Sequence, residues 1–173
     1  MKALLRKLWL IDSHVRGFIA LSRFCFYRVP LVGRFLSYVV DRLLLLSYGL
    51  DGTAHTVAVR YLTISHPNGV LLGGNGLVSQ GRVAIMAGAK LVGRSPSDPE
   101  YLARHKTKDN FRFGDNVVIG AGSVVIGPID ICDNVIIGSM SLVNKSISEP
   151  GLYVGVPARK IRDEVSDEWV SQA

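Results

Sequence analysis

The chain is poor in cysteine and has no long apolar run. Its two cysteines, Cys25 and Cys132, lie far apart and form neither a CxxC pair nor a Cys/His cluster. That spacing argues against a disulfide scaffold and suits two buried thiols in a reducing cytoplasm. The apolar stretches fall well short of the ~20 residues that span a bilayer. No small-residue cleavage site closes a compact apolar segment, so a signal peptide is not expected either. Residues 51–173 lack net charge, with twelve basic and twelve acidic side chains. A nucleic-acid surface would need basic charge with groove-reading or stacking residues on that body, so no nucleic-acid partner is expected.

The formal net charge of +6 therefore belongs to residues 1–50, where Lys2, Arg6, Lys7, Arg16, Arg23, Arg28, Arg34 and Arg42 face only Asp12 and Asp41. Leu4, Leu5, Leu8 and Ile11 recur at helical spacing, as do Phe18, Leu21, Phe24 and Cys25. Pro30 should end one helix, and the stretch "LVGRFLSYVVDRLLLLSY" reads as another. Two or three amphipathic helices with basic polar faces are expected. Two roles stay open for them: packing on the main domain or between subunits, and peripheral contact with anionic lipid at the inner membrane face.

Glycine is abundant, at 18 of 173 residues, above the usual ~7%. From residue 113 the chain repeats every six residues. Phe113, Ile119, Val125, Ile131, Ile137 and Val143 are all bulky and apolar, and Val117, Ser123, Ile129, Val135, Ser141 and Ile147 follow them four positions later. Neither a helix nor a simple alternation has this period. It describes short strands separated by corners, stacked as coils of about eighteen residues. An earlier, noisier array carries Leu72 and Val78, then resumes after one extra residue at Ile85 and Leu91. Residues 93–111, polar and with two prolines, interrupt the array and are expected to loop out of it.

These six-residue repeats, the interrupting loop and the closing "YVGVPARKI" resemble the hexapeptide-repeat acyltransferases. The stretch "ISHPNGVLLGG" resembles their serine acetyltransferase branch, which includes short O-acetyltransferases of capsule and exopolysaccharide synthesis. The resemblance implies a mainly β fold, a left-handed parallel β-helix over residues 51–161. The helical segment 1–50 precedes it, the excursion 93–111 interrupts it, and a C-terminal tail 162–173 follows as a short helix or frayed end. It also implies a homotrimer, acetyl-CoA as acyl donor, no metal, and a hydroxyl acceptor.

His66 occupies the catalytic-base position of that branch, and an imidazole is suited to taking a hydroxyl proton near neutral pH. Asp51, fifteen residues earlier and so about one coil away, matches the carboxylate that orients it. Arg104 and His105 reproduce the dipeptide of the family's loop, but His105 lies five residues early, and Asn110 stands at the family's position. All three are candidate acceptor contacts. Gly93, Ala121 and Ser139 are expected along the pantetheine groove between neighbouring prisms, with Lys145, Arg159 and Lys160 near the nucleotide phosphates. The fold also hosts zinc enzymes, but His55, His66 and His105 do not have the spacing of three converging ligands.

Two departures from serine acetyltransferases bear on the acceptor. The long helical N-terminal domain is replaced by fifty apolar, basic residues, and the aspartate before the catalytic histidine is Ser65. Both point to a sugar hydroxyl in polysaccharide synthesis as acceptor. Serine O-acetylation is the alternative, followed by a sugar N-acyltransferase. A non-catalytic trimeric β-helix scaffold is the alternative of another class.

Overall fold

The structure is a computed structural model and describes residues 11–163. The helical spacing over Leu4, Leu5 and Leu8 and the expected tail helix around Trp169 lie outside these residues.

Two helices open the described chain, α1 (Ile11–Arg28) and α2 (Gly33–Tyr48). Pro30 lies in the turn between them, and Gly49, with φ 66°, closes α2 by donating its N–H to Leu45 O. The expected helix boundaries hold. Arg16, Arg28 and Arg34 are exposed, but α2 also exposes Phe35, Leu36, Tyr38, Val39, Leu43 and Leu46 outside its buried stripe. The stripe itself is Gly33, Ser37, Val40, Asp41 and Leu44.

After the hairpin the chain winds into a three-faced parallel β-helix. The first face is a five-stranded sheet in the order β1 (Asp51–Gly52), β3 (Leu71–Leu72), β5 (Lys90–Gly93), β8 (Val124–Gly127) and β11 (Leu142–Val143). An eight-stranded sheet forms the other two faces, because β4 (Leu77–Ile85) runs through a corner. The first half of β4 pairs with β6 (Phe111–Phe113), which pairs with β9 (Ile129–Ile131). Its second half pairs with β7 (Val117–Ile119), followed by β10 (Val135–Ile137) and β12 (Gly151–Gly155). Strand β2 (Val57–Thr63) lies along β4 on both faces. Every one of these pairings is parallel; only β13 (Ala158–Arg162) folds back antiparallel, on β12.

All twelve repeat positions from Phe113 to Ile147 are buried. Ser123 and Ser141, the two hydroxyls among them, bond to corner backbone: Ser123 Oγ donates to Gly138 O, and Ser141 Oγ accepts from Gly155 N–H. Asn116 Nδ2 donates to Asn134 Oδ1 at 2.8 Å across one eighteen-residue coil. The earlier array differs from the expected phase. Leu77 and Ser79 point inward and Val78 does not, because the corner at residues 73–76 leaves only five residues from Leu72 to Leu77. The apolar core runs unbroken from Val15, Ile19 and Leu44 of the hairpin, through Ile64, Ile85 and Ile119, to Ile137.

The excursion contains a helix, α3 (Pro99–Thr107), which its polar composition concealed. Asp98 caps it by accepting from the N–H groups of Glu100 and Tyr101, with Pro99 in the first turn.

Candidate active site

The corner between the third and first faces carries residues 64–70, 86–89, 120–123 and 138–141 in successive coils. Its turns are joined by backbone hydrogen bonds: Gly88 N–H to Asn68 O, Gly122 N–H to Ala87 O and Met140 N–H to Ala121 O, at 2.9–3.0 Å. His66, Ala121 and Ser139 therefore share one edge of the prism. His66 lies in the bend after β2, followed by the buried ring of Pro67 and by Gly69 at φ 72°. The strand end leading into it is fixed from the hairpin, where Asp12 Oδ1 accepts the Ile64 N–H at 2.8 Å. The imidazole is exposed, and no hydrogen bond to it is found among the described residues.

Asp51 opens β1 directly beneath this corner. Its N–H donates to Val70 O at 2.9 Å and its Cα lies opposite that of Leu71. Its carboxylate accepts from Arg42 Nη2 at 3.2 Å. The structure thus brings Asp51 under the His66 turn while its described side-chain bond goes to α2.

Beside Asp51 is an open cleft of about 400 Å³, lined among others by Arg34, Tyr38, Arg42, Asp51, His55 and Gly73. The Arg42 guanidinium lies over the Tyr38 ring at 5.4 Å, and its buried Nε has no hydrogen-bond partner among the described residues. Arg34 lies 6.0 Å over the Phe26 ring and makes no ion pair among the described residues. Asp41, behind the cleft, is pushed above the usual carboxylate range by burial, against the bonds from Ser22 and the Ala54 N–H. His55 sits at a different corner from His66, so it does not compete for the same edge. Its ring stacks on Phe26 with centroids 3.7 Å apart. Burial, then the charges of Lys108 and Arg23, push it down to about 4. It is neutral near pH 7.

The remaining candidates are dispersed. Arg104 makes a bidentate pair with Asp130, both contacts at 2.8 Å, and another with Glu100, tying α3 to the second face. His105 is exposed on α3, with its ring 5.5 Å from that of Tyr101 and its carbonyl accepting from Asn75 Nδ2. Asn110 is fully buried and donates to the carbonyls of Gly74 and Asn75, so it presents no surface to an acceptor. Gly93 lies at the opposite end of the first face, where an added Cβ would meet the Tyr101 ring at 2.4 Å. Lys145 is exposed beyond β11 and Arg159 on β13. Lys160 is held by Glu149 and Asp163 at 3.1 and 2.7 Å, which raises its pKa. Among the described residues no three His, Cys, Asp or Glu side chains converge as a metal site would require.

Sequence reasoning passed over Arg34, Arg42 and Asp12. Helical periodicity identifies the apolar stripe of a helix, but it does not say which charged residue leans over a neighbouring strand.

Residues 112–145 match the family described as bacterial transferase hexapeptide (six repeats). The chain is a hexapeptide-repeat protein of the left-handed β-helix fold. A serine acetyltransferase from Synechococcus elongatus is 33% identical over 134 residues, covering 78% of this chain and 50% of the relative. Among solved structures, serine acetyltransferase from Neisseria gonorrhoeae in complex with serine superposes with a TM-score of 0.70 at 22% identity, over 89% of this chain and 58% of that one. A serine acetyltransferase in complex with CoA gives 0.68 at 20% identity, over 89% and 58%. Within the hexapeptide-repeat fold, the similarity is thus to the serine acetyltransferase branch. The chain spans about half the length of the curated relatives it matches.

Proposed function

We propose that this hexapeptide-repeat chain transfers an acetyl group from acetyl-CoA to the hydroxyl of serine, with His66 as general base. One observation carries the reading. An exposed imidazole with no hydrogen bond among the described residues heads a prism edge whose lower corners carry Gly88, Ala121, Gly122 and Ser139, with the flexible Met140 beside them. A pantetheine arm can run along such an edge and bond to its backbone. The relatives named serine acetyltransferases, and the neighbours solved with serine and with CoA, supply the substrates.

An alcohol is a weak nucleophile near neutral pH, so the base must take its proton as the attack begins. His66 accepts the hydroxyl proton while the oxygen bonds to the thioester carbonyl carbon. The tetrahedral intermediate collapses, the carbon–sulfur bond breaks, and the imidazolium returns the proton to the leaving thiolate. Asp51, beneath the same turn, steadies the imidazolium. A partner prism in a homotrimer completes the groove. Acetylation of a sugar hydroxyl has no counterpart among these relatives.

The test is thiol release from acetyl-CoA with L-serine, for the full chain and for His66→Ala. The substitution is expected to lower turnover by roughly 10²–10⁴-fold while leaving the thermal shift produced by CoA intact. A CoA shift without serine-dependent release would keep the acetyltransferase and turn the acceptor search to saccharides. Neither shift nor release would favour a scaffold.

A further inference from the structure

At its base the helical hairpin buries Val15, Ile19, Val40 and Leu44. Toward its tip, the contact between α1 and α2 is made by small or polar side chains instead. Ser22 Oγ donates to Asp41 Oδ1 at 2.8 Å and lies 2.8 Å from Ser37 Oγ. Gly33 lets the backbones approach so closely that a Cβ there would stand 2.1 Å from Cys25 O. The outward side chains include Phe24, Leu31, Val32, Phe35, Leu43 and Leu46, all exposed. A helix pair in water carries its apolar stripe inward and its polar residues outward. Small residues and buried hydrogen bonds between helices, with large aliphatic side chains outside, suit an apolar surrounding.

The charges narrow the surrounding. Arg28 and Arg34, both exposed, flank the hairpin tip, whereas its two acidic residues turn inward. Asp12 bonds to Ile64 N–H and pairs with Arg16, and Asp41 is buried. A second copy laid on this face would set arginine against arginine with no carboxylate to answer them. Anionic headgroups over an acyl layer answer both the arginines and the leucines. No described helix is long and apolar enough to cross a membrane. The helices, at 18 and 16 residues, must therefore lie in the interface rather than across it. At the tip, Leu31 is fully exposed at φ 65°, a left-handed conformation that leucine rarely adopts.

We propose that the outer face of this hairpin, led by Leu31, Val32 and Phe35 with Arg28 and Arg34 beside them, inserts into the headgroup layer of an anionic phospholipid leaflet. Flotation of the full chain with vesicles tests it, comparing phosphatidylcholine alone with phosphatidylcholine containing phosphatidylglycerol. Binding is expected to the anionic vesicles and to weaken with salt. It should fall roughly tenfold or more when Arg28→Gln and Arg34→Gln are combined. Leu31→Gly should weaken binding without lowering the thermal midpoint, because glycine accepts that backbone conformation; this separates lost insertion from lost folding. Equal binding to both vesicle types, or undiminished binding of a folded Leu31→Gly/Phe35→Gln variant, would overturn the proposal. So would a chain that ignores vesicles and whose light-scattering mass drops with Phe35→Glu, for then the face joins two copies.

Discussion

Gly33 shows how much one missing side chain decides. Its neighbour across the hairpin is a backbone carbonyl, Cys25 O, which cannot swing aside as a flexible side chain would. Gly33→Ala should push the helices apart, loosen the Ser22–Ser37–Asp41 bonds and destabilise the chain by about 1–3 kcal/mol. A urea melt followed by helical circular dichroism reads this. Gly17→Ala is the control, because nothing lies within 4 Å of a Cβ at that position. Neither glycine was distinguishable in the sequence, where small residues leave no mark on an apolar period. His66 was distinguishable, since its surroundings in "TISHPNGV" carry a turn and a family motif together. Arg42 was not: its link to Asp51 joins residues that are nine apart and lie on different elements.

At the scale of elements, the repeat announced the coils because every inward position from Phe113 onward needed an apolar or small side chain to fill a narrow interior. The first two coils were harder to read. There the corner at residues 73–76 is one residue short of the six-residue spacing, which moves the inward residue from Val78 to Leu77. Helix α3 did carry a signal, the Asp98–Pro99 pair of a capped first turn, inside a segment whose polarity suggested a bare loop. Its attachment is electrostatic and partly exposed. Arg104→Ala should therefore change global stability by less than about 1 kcal/mol yet free the excursion from Asp130. Limited proteolysis should then cut residues 94–110 sooner than in the parent chain, at an unchanged unfolding midpoint.

For the whole molecule, pH is the informative variable, because the hairpin, the prism and the excursion meet around His55. Phe26 stacks on its ring, Arg23 lies near it, and Lys108 reaches over Phe26 at 4.3 Å from the excursion. With its pKa pushed down to about 4 from an unfolded value near 6.5, the folded state resists a proton that the unfolded chain accepts. The stability His55 permits is complete above about pH 6.5 and is lost as pH falls toward 4. Asp41 acts in the opposite sense: its raised pKa makes the folded state take up a proton first as pH drops. Asp115, held down to about 2 by Arg82, adds a later loss below its ordinary 3.8. The expected result is a thermal midpoint that declines between pH 6.5 and 4, and a shallower decline in His55→Gln.

Both ends of the coil stack are stoppered. Val15, Ile19 and Leu44 of the hairpin pack into the core at the first coil. At the other end β13 runs antiparallel and carries Arg159, Lys160 and Arg162 along the last edge. A parallel stack with bare ends is a template on which an identical stack can continue, coil upon coil, into a fibre. The helices and the reversed, charged strand thus set the length of the rod, and the molecule stays a discrete particle instead of a polymerising one.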